Sequence, residues 1–145
     1  MSGLFTPTRT GVRQFFIDAW SKQRAHAPLE PLEAIAVDWI VLHPEYHAVL
    51  EAPAAALERD FSPEEGVTNP FLHLSMHLSI AEQVSIDQPR GIRAATEALA
   101  LRRGSLHAAH HAVMECLGSM VWEAQRSAQP PDALAYVECV RRALG

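Results

Sequence analysis

The chain has 145 residues, 48% of them apolar, and a formal net charge of −5 with neutral histidines. This length fits one globular domain, 1–145, that buries a core without disulfide bonds. The acidic balance offers no surface for phosphates, and no apolar run is long enough to span a bilayer. We therefore expect neither nucleic acid nor a membrane as a partner, which leaves an unidentified small molecule or protein.

The first third of the chain has the spacing of amphipathic helices. Thr10 is expected to cap a helix that ends near Arg24, and Pro31 fits the first turn of a second helix. The apolar stripe predicted for this second helix comprises Leu32, Ile35, Ala36, Trp39 and Ile40. Asp38 interrupts its apolar half and is expected to face solvent.

Prolines and small polar residues divide the rest of the chain. Pro44 and Pro53 begin short segments, and FSPEEGVT reads as a loop. Asn69 and Pro70 start a helix that ends near Ile86. Further helices are expected at 92–103, from Ser105 to about residue 126, and after Pro131. The predicted class is all-α, a compact bundle of four main helices with shorter connecting helices.

Six of the 8 histidines form pairs spaced four residues apart, which places both rings of a pair on adjacent helical turns. The pairs are His43 with His47, His73 with His77, and His107 with His111. A single buried imidazole is more often a hydrogen-bonded core residue than a ligand. Three pairs on separate segments instead indicate a metal site.

The segment from Ser105 to Arg126 adds a carboxylate to this pattern. Glu115 is the only acidic residue between Ala108 and Trp122, one turn beyond His111. We expect it to be buried, where a divalent cation would satisfy its charge. His110 points away from His111 and is expected to stay outside the cluster.

Imidazole and carboxylate ligands without thiolate suit a divalent transition metal such as iron, manganese or zinc. His107 to Glu115 spans about 12 Å of helix, so the site holds either two ions or one ion with one residue outside its coordination shell. Glu82 is a secondary candidate ligand, because it lies far around the helix from His77. Cys116 is expected to pack in the core.

Nearly the whole chain resembles a family of small, uncharacterised proteobacterial proteins with a domain of unknown function. The resemblance lies in HPEYH, NPFLHLSMHLSIAEQVSIDQPRGIR and HAAHHAVMECLGSMVWEAQR. It implies a bacterial cytosolic protein and brings no activity. The metal pattern alone resembles hemerythrin, with HxxxE at His111 and Glu115 and HxxxxD matched only by His77 and Glu82. DinB-like helical enzymes, which hold one metal through three histidines, are a second analogy.

Three functions remain open at this stage. The first is an iron or manganese protein that handles oxygen, peroxide or redox signals. The second is a single-zinc hydrolase or transferase with Glu115 as general base. The third is a metal-free helical interaction module. Cys116 and Cys139 need not pair, which fits a reducing compartment, so the cytoplasm is the expected location. Whether the protein is an enzyme and how it assembles stay open.

Overall fold

A computed structural model of the chain describes residues 8–61 and 69–145, which form eight α-helices and no strand. This confirms the all-α class. The helices are α1 (Arg9–Arg24), α2 (Pro31–Val41), α3 (His47–Leu50), α4 (Pro53–Glu58), α5 (Pro70–Ile86), α6 (Ile92–Arg103), α7 (Leu106–Ser127) and α8 (Ala133–Arg142), with a 3₁₀ helix at Pro44–Tyr46. Six of the eight have at least ten residues, so the expected count of four main helices is not confirmed. The predicted loop FSPEEGVT lies outside the described residues, except for Phe61.

Side-chain caps fix where several helices begin. The side chains of Asn69 and Ser105 accept amide hydrogens at the starts of α5 and α7, as expected from the sequence. The cap of α1 is Thr8 and not the expected Thr10, because the Thr8 hydroxyl accepts the amide of Gly11. A Cβ on Gly11 would lie 3.0 Å from that hydroxyl, a tight contact that glycine avoids.

Contacts within the chain define two units, 1–78 and 79–145, while the single-domain expectation stays a prediction. In the first unit, α1 packs against α2 and α4. Its apolar core includes Phe16, Ile17, Ala36, Trp39, Ile40, Leu50, Phe71 and Leu74.

A buried arginine donates hydrogen bonds to carbonyl oxygens at the end of the short helix α4. The Arg13 guanidinium on α1 donates to the carbonyl oxygens of Ala56 and Arg59, at 2.8 and 2.7 Å, and Arg9 donates to the Arg59 carbonyl as well. Burial, and next the charge of Arg9, lowers the pKa of Arg13. Arg13 thus satisfies the Ala56 carbonyl of α4 and, with Arg9, the carbonyl of the C-cap residue Arg59, whose own amide donates to the Ala55 carbonyl.

The buried face of α2 differs from the expected stripe. Leu32 and Ile35 are exposed, whereas Glu33 is 7% exposed. The Glu33 carboxylate accepts from Lys22 Nζ at 2.9 and 3.0 Å and from the amide of Glu30 at 2.8 Å. These bonds satisfy the charge of a buried carboxylate that the expected stripe did not include. Asp38 is exposed, as predicted.

In the second unit, α7 packs against both α6 and α8. The Asp87 carboxylate accepts the amides of Gly91 and Arg93 at the start of α6, and Asp132 caps α8 by accepting the amide of Ala135. The Tyr136 hydroxyl of α8 donates to Gln83 Oε1 of α5 at 2.5 Å.

A disulfide joins α7 to α8 through Cys116 and Cys139, whose Cα atoms are 5.8 Å apart. From the sequence these cysteines need not pair, whereas the structure joins them. The two helices pack side by side and bring the sulfur atoms within bonding distance, which neither helical pattern alone reveals. The inference of a reducing compartment rested on unpaired thiols and loses that support.

None of the helices in the described ranges combines the length and the apolar character needed to cross a bilayer.

Candidate metal centre

His43 is buried at the junction between α2 and the 3₁₀ helix, as Pro44 predicts. Its Nδ1 lies 2.7 Å from the carbonyl oxygen of Trp39, one turn earlier. A carbonyl oxygen only accepts, so Nδ1 carries a proton, and in the uncharged form of the ring the lone pair is on Nε2. The His43 ring also stacks in parallel on Tyr46, with centroids 5.2 Å apart. Both contacts fix the orientation of a nitrogen that is chemically able to bind a cation.

His77 is fully buried on α5 and lies against a tryptophan. Its ring stacks on Trp39 with centroids 4.2 Å apart and planes inclined by 11°. Trp39 therefore orients His77 with its indole and His43 with its carbonyl. The ring centroids of His43 and His77 are 4.9 Å apart.

His73 lies one turn before His77 and is partly buried. Its Nε2 is 3.1 Å from Nε2 of His43. In the uncharged Nδ1–H tautomer of His43 this atom accepts, and His73 Nε2 is then the donor. The two histidines of α5 therefore have different contacts. The His77 ring stacks on Trp39, and the His73 ring is bonded to His43.

His47 has a different set of contacts from its expected partner His43. Its Nε2 donates to the carbonyl oxygen of Ile40 at 2.8 Å, and its ring stacks on Trp20 at 4.3 Å. The bond attaches the start of α3 to the end of α2, and the stack attaches it to α1. The HPEYH motif therefore contains one histidine near the other rings and one that secures a helix junction.

On α7, His107 and His111 lie one turn apart with ring centroids 4.4 Å from each other, as their spacing predicts. His107 is half-buried and His111 is exposed. Glu115 is also exposed, so the expectation of a buried carboxylate is wrong. The buried face of α7 is formed instead by residues that include Ala109, Val113, Cys116 and Leu117, and Glu115 lies off this face.

His110 occupies the buried face of α7 and is 1% exposed. Burial, followed by the neighbouring His107 and His111, lowers the pKa of His110 to about 4. The His110 ring is therefore neutral at pH 7.

Four of the predicted residues supply ring nitrogens that all lie within 4.8 Å of one another, namely His43, His77, His107 and His111. This is a histidine cluster that could hold a metal ion. Its members comprise two buried side chains, one half-buried and one exposed. His47, His73, Glu115 and the exposed Glu82 do not belong to the group, so their role as ligands stays a prediction.

The described helices and the four clustered imidazoles define an all-α protein with a candidate metal centre. Residues 8–142 match the family described as Domain of unknown function (DUF1841), and the chain belongs to that family. No curated protein and no solved structure matches the chain. The expected resemblance to a domain of unknown function is confirmed, whereas a proteobacterial origin stays a prediction.

The sequence interpretation missed the aromatic residues that orient the histidines. Trp39 was assigned only to the apolar stripe of α2, yet it contacts both His43 and His77. A signal was present, because Trp39 precedes His43 by four residues and its carbonyl is within reach of that ring. The stacking of Tyr46 on His43 has no comparable signal in the sequence.

Proposed function

We propose that this protein binds one divalent transition metal ion through His43, His77, His107 and His111. The observation that carries the proposal is the approach of four imidazole nitrogens to within 4.8 Å of one another. Four donors grouped in one place support a single ion, and the two-ion arrangement that the sequence allowed would need further ligands.

The separations are close to those that a bound ion requires. Four nitrogens at about 2.1 Å from a tetrahedral zinc ion lie about 3.4 Å from one another. Donors within 4.8 Å need only small ring movements to reach this geometry. Neutral imidazoles tolerate such proximity without charge repulsion, and a cation would then replace their other polar contacts.

The contacts around His43 and His77 supply independent support. A histidine that binds metal usually donates its other ring N–H to a carbonyl or carboxylate, and His43 makes this bond to Trp39. Stacking of His77 on the Trp39 indole restricts the second ring. This half of the ligand set is therefore oriented in advance of binding.

The type of donor atom limits which metal ions the site can bind. Imidazoles suit zinc and iron, whereas manganese favours carboxylates, and the group consists of histidines alone. A zinc ion with four protein ligands has no open position and stabilises the fold, while iron keeps further positions for a small ligand. The zinc-hydrolase alternative needs Glu115 as a base beside an open position, and the exposure of Glu115 and the four-histidine set both disfavour it.

Elemental analysis of protein prepared without a histidine tag tests the proposal. We expect about one zinc or iron per chain in the parent. Single alanine substitutions at His43, His77, His107 and His111 should each remove most of this metal. His26→Asn is the matched control, since His26 is exposed, has a positive φ of 57° that asparagine tolerates, and lies outside the group.

Two outcomes would contradict a metal site. Parent protein that stays metal-free after incubation with zinc and ferrous iron would instead support the metal-free interaction module. Equal metal content in the parent, the four alanine variants and His26→Asn would show that metal binds elsewhere on the chain.

A further inference from the structure

The disulfide between α7 and α8 borders a cavity that the metal proposal does not use. The cavity measures about 490 Å³, and its lining includes Cys116 and Cys139 together with Ser119, Met120, Ala135 and Tyr136. Glu123, Asp132 and Arg142 add charges of both signs. A volume of this size admits a small molecule beside the sulfur atoms.

The two sulfur-bearing residues differ in exposure. Cys116 is 5% exposed within the buried face of α7, whereas Cys139 is half-buried on α8. A nucleophile that enters the cavity therefore reaches Cys139 more easily. Thiol–disulfide exchange depends on this access and on which sulfur is attacked.

We propose that the Cys116–Cys139 disulfide is a site of thiol exchange that a small dithiol reduces in the folded protein. One thiolate of the dithiol attacks Cys139 Sγ, the Cys116–Cys139 bond breaks, and Cys116 leaves as a thiolate that takes up a proton. The second thiol of the reagent then attacks the mixed disulfide and releases Cys139. The dithiol becomes a cyclic disulfide, and the protein gains two electrons and two protons as two thiols.

The reduced protein keeps other contacts that hold α8 in place. The Tyr136 hydroxyl bonds to Gln83 of α5, and α8 packs against both α6 and α7. Opening the bridge thus removes one covalent restraint on α8 without requiring the unit to unfold. This makes the disulfide a reversible modification site on the helix that carries His107 and His111.

The first experiment measures reduction of the full-length parent by dithiothreitol, a neutral dithiol, under native conditions. Alkylation followed by mass spectrometry reports the reduced fraction with time. We expect the rate to rise linearly with dithiol concentration and to exceed the global unfolding rate by about tenfold or more. A rate that levels off at the independently measured unfolding rate would overturn the proposal, because reduction would then need the unfolded chain.

Two variants on neighbouring residues of α8 test entry through the cavity. Ala135 lines the cavity, while the adjacent Leu134 is 82% exposed and does not. We expect Ala135→Trp to slow native-state reduction several-fold and Leu134→Trp to leave the rate unchanged, with helix content checked by circular dichroism. Equal rates in both variants and the parent would contradict access through this cavity.

The attacked sulfur is identified with a monothiol, 2-mercaptoethanol, followed by an acid quench and peptide mapping. The adduct should be found mainly on Cys139. An adduct mainly on Cys116 would refute the direction of attack, and this result does not depend on whether the histidines bind metal.

Discussion

The backbone carbonyl of Trp39 determines which ring nitrogen of His43 is available to bind a metal ion. The bond from His43 Nδ1 to the Trp39 carbonyl fixes the tautomer of the uncharged ring, which has its lone pair on Nε2. His73 Nε2 lies 3.1 Å from this atom and donates to it when the His43 ring is uncharged. A metal ion and His73 therefore compete for the lone pair on His43 Nε2. This competition distinguishes His73 from His77, although their spacing in the sequence gives both the same expected role.

His73→Ala should retain bound metal or bind it more tightly, because it removes this competitor for His43 Nε2. His43→Ala should lose the metal. Competition with a chromogenic zinc chelator measures both affinities. Loss of metal in His73→Ala equal to that in His43→Ala would make His73 a ligand, as the sequence pattern first indicated.

Adjacent histidines on α7 provide a second comparison. His111→Ala should lose most of the bound metal because its nitrogen belongs to the group, whereas His110→Ala should retain it. The buried His110 should cost stability when truncated, about 2 kcal/mol or more, so metal content is measured well below the melting temperature. The opposite order of metal loss would place the site on the buried face of α7.

Thr96 is buried on α6, and its hydroxyl has no hydrogen-bond partner among the described residues. Thr96→Val should leave stability unchanged or raise it by about 1 kcal/mol, since it replaces an unsatisfied hydroxyl with a methyl group of similar shape. Thr8→Val is the matched control and should lower stability by about 1 kcal/mol through loss of the α1 cap. Urea denaturation measures both, and a clear loss of stability in Thr96→Val would reveal a hydrogen bond at this hydroxyl.

At the scale of elements, helix starts could be predicted from the sequence better than buried faces. Asn69, Ser105 and Asp132 form their bonds within one turn of the chain, so local sequence contains the needed information. The face that α2 buries depends on Lys22 of α1, which binds Glu33 from a separate helix. Periodicity could not reveal this partner, and so Leu32 and Ile35 were assigned to the wrong side.

The ion pair between Lys22 of α1 and Glu33 of α2 predicts that the stability of the folded protein depends on pH. The amide of Glu30 and the ammonium of Lys22 lower the pKa of Glu33, so the folded state favours its ionised form. The resulting stabilisation is present above the unfolded carboxyl pKa, about 4.3, and is lost as the pH falls through the lower folded value. Glu33→Gln should therefore melt below the parent at pH 7. Melting curves from pH 7 to pH 2 check this, and a difference that persists at the lowest pH would contradict the ionic origin.

At the scale of the whole molecule, the sequence predicted the class and included the four clustered histidines among its seven main candidate ligands, because pairs spaced by four residues share a helix face whatever the fold. It did not predict which nitrogens approach one another. Exclusion of His47 follows from its bond to Ile40, and exposure of Glu115 follows from which side of α7 packs. The disulfide was missed for the same reason, since it depends on contact between two helices.

Metal binding at the proposed site should stabilise the entire chain. A ligand that binds only the folded state adds about 2.7 kcal/mol when present at a hundredfold excess over its dissociation constant. Chelation should therefore lower the melting temperature of the parent, and the metal-deficient His111→Ala variant should not respond to chelator. An unchanged melting curve of the parent after verified metal removal would show that metal binding does not stabilise the folded protein.

Because Arg13 of α1 binds carbonyl oxygens at the end of α4, the stability of α4 depends on α1. A helix of six residues has little stability alone, and the carbonyls at its end are satisfied by Arg13 and Arg9 of α1. When the start of α1 opens, α4 loses these donors at the same moment. Hydrogen exchange would then register the two segments as one cooperative unit, although more than 25 residues separate them in the chain.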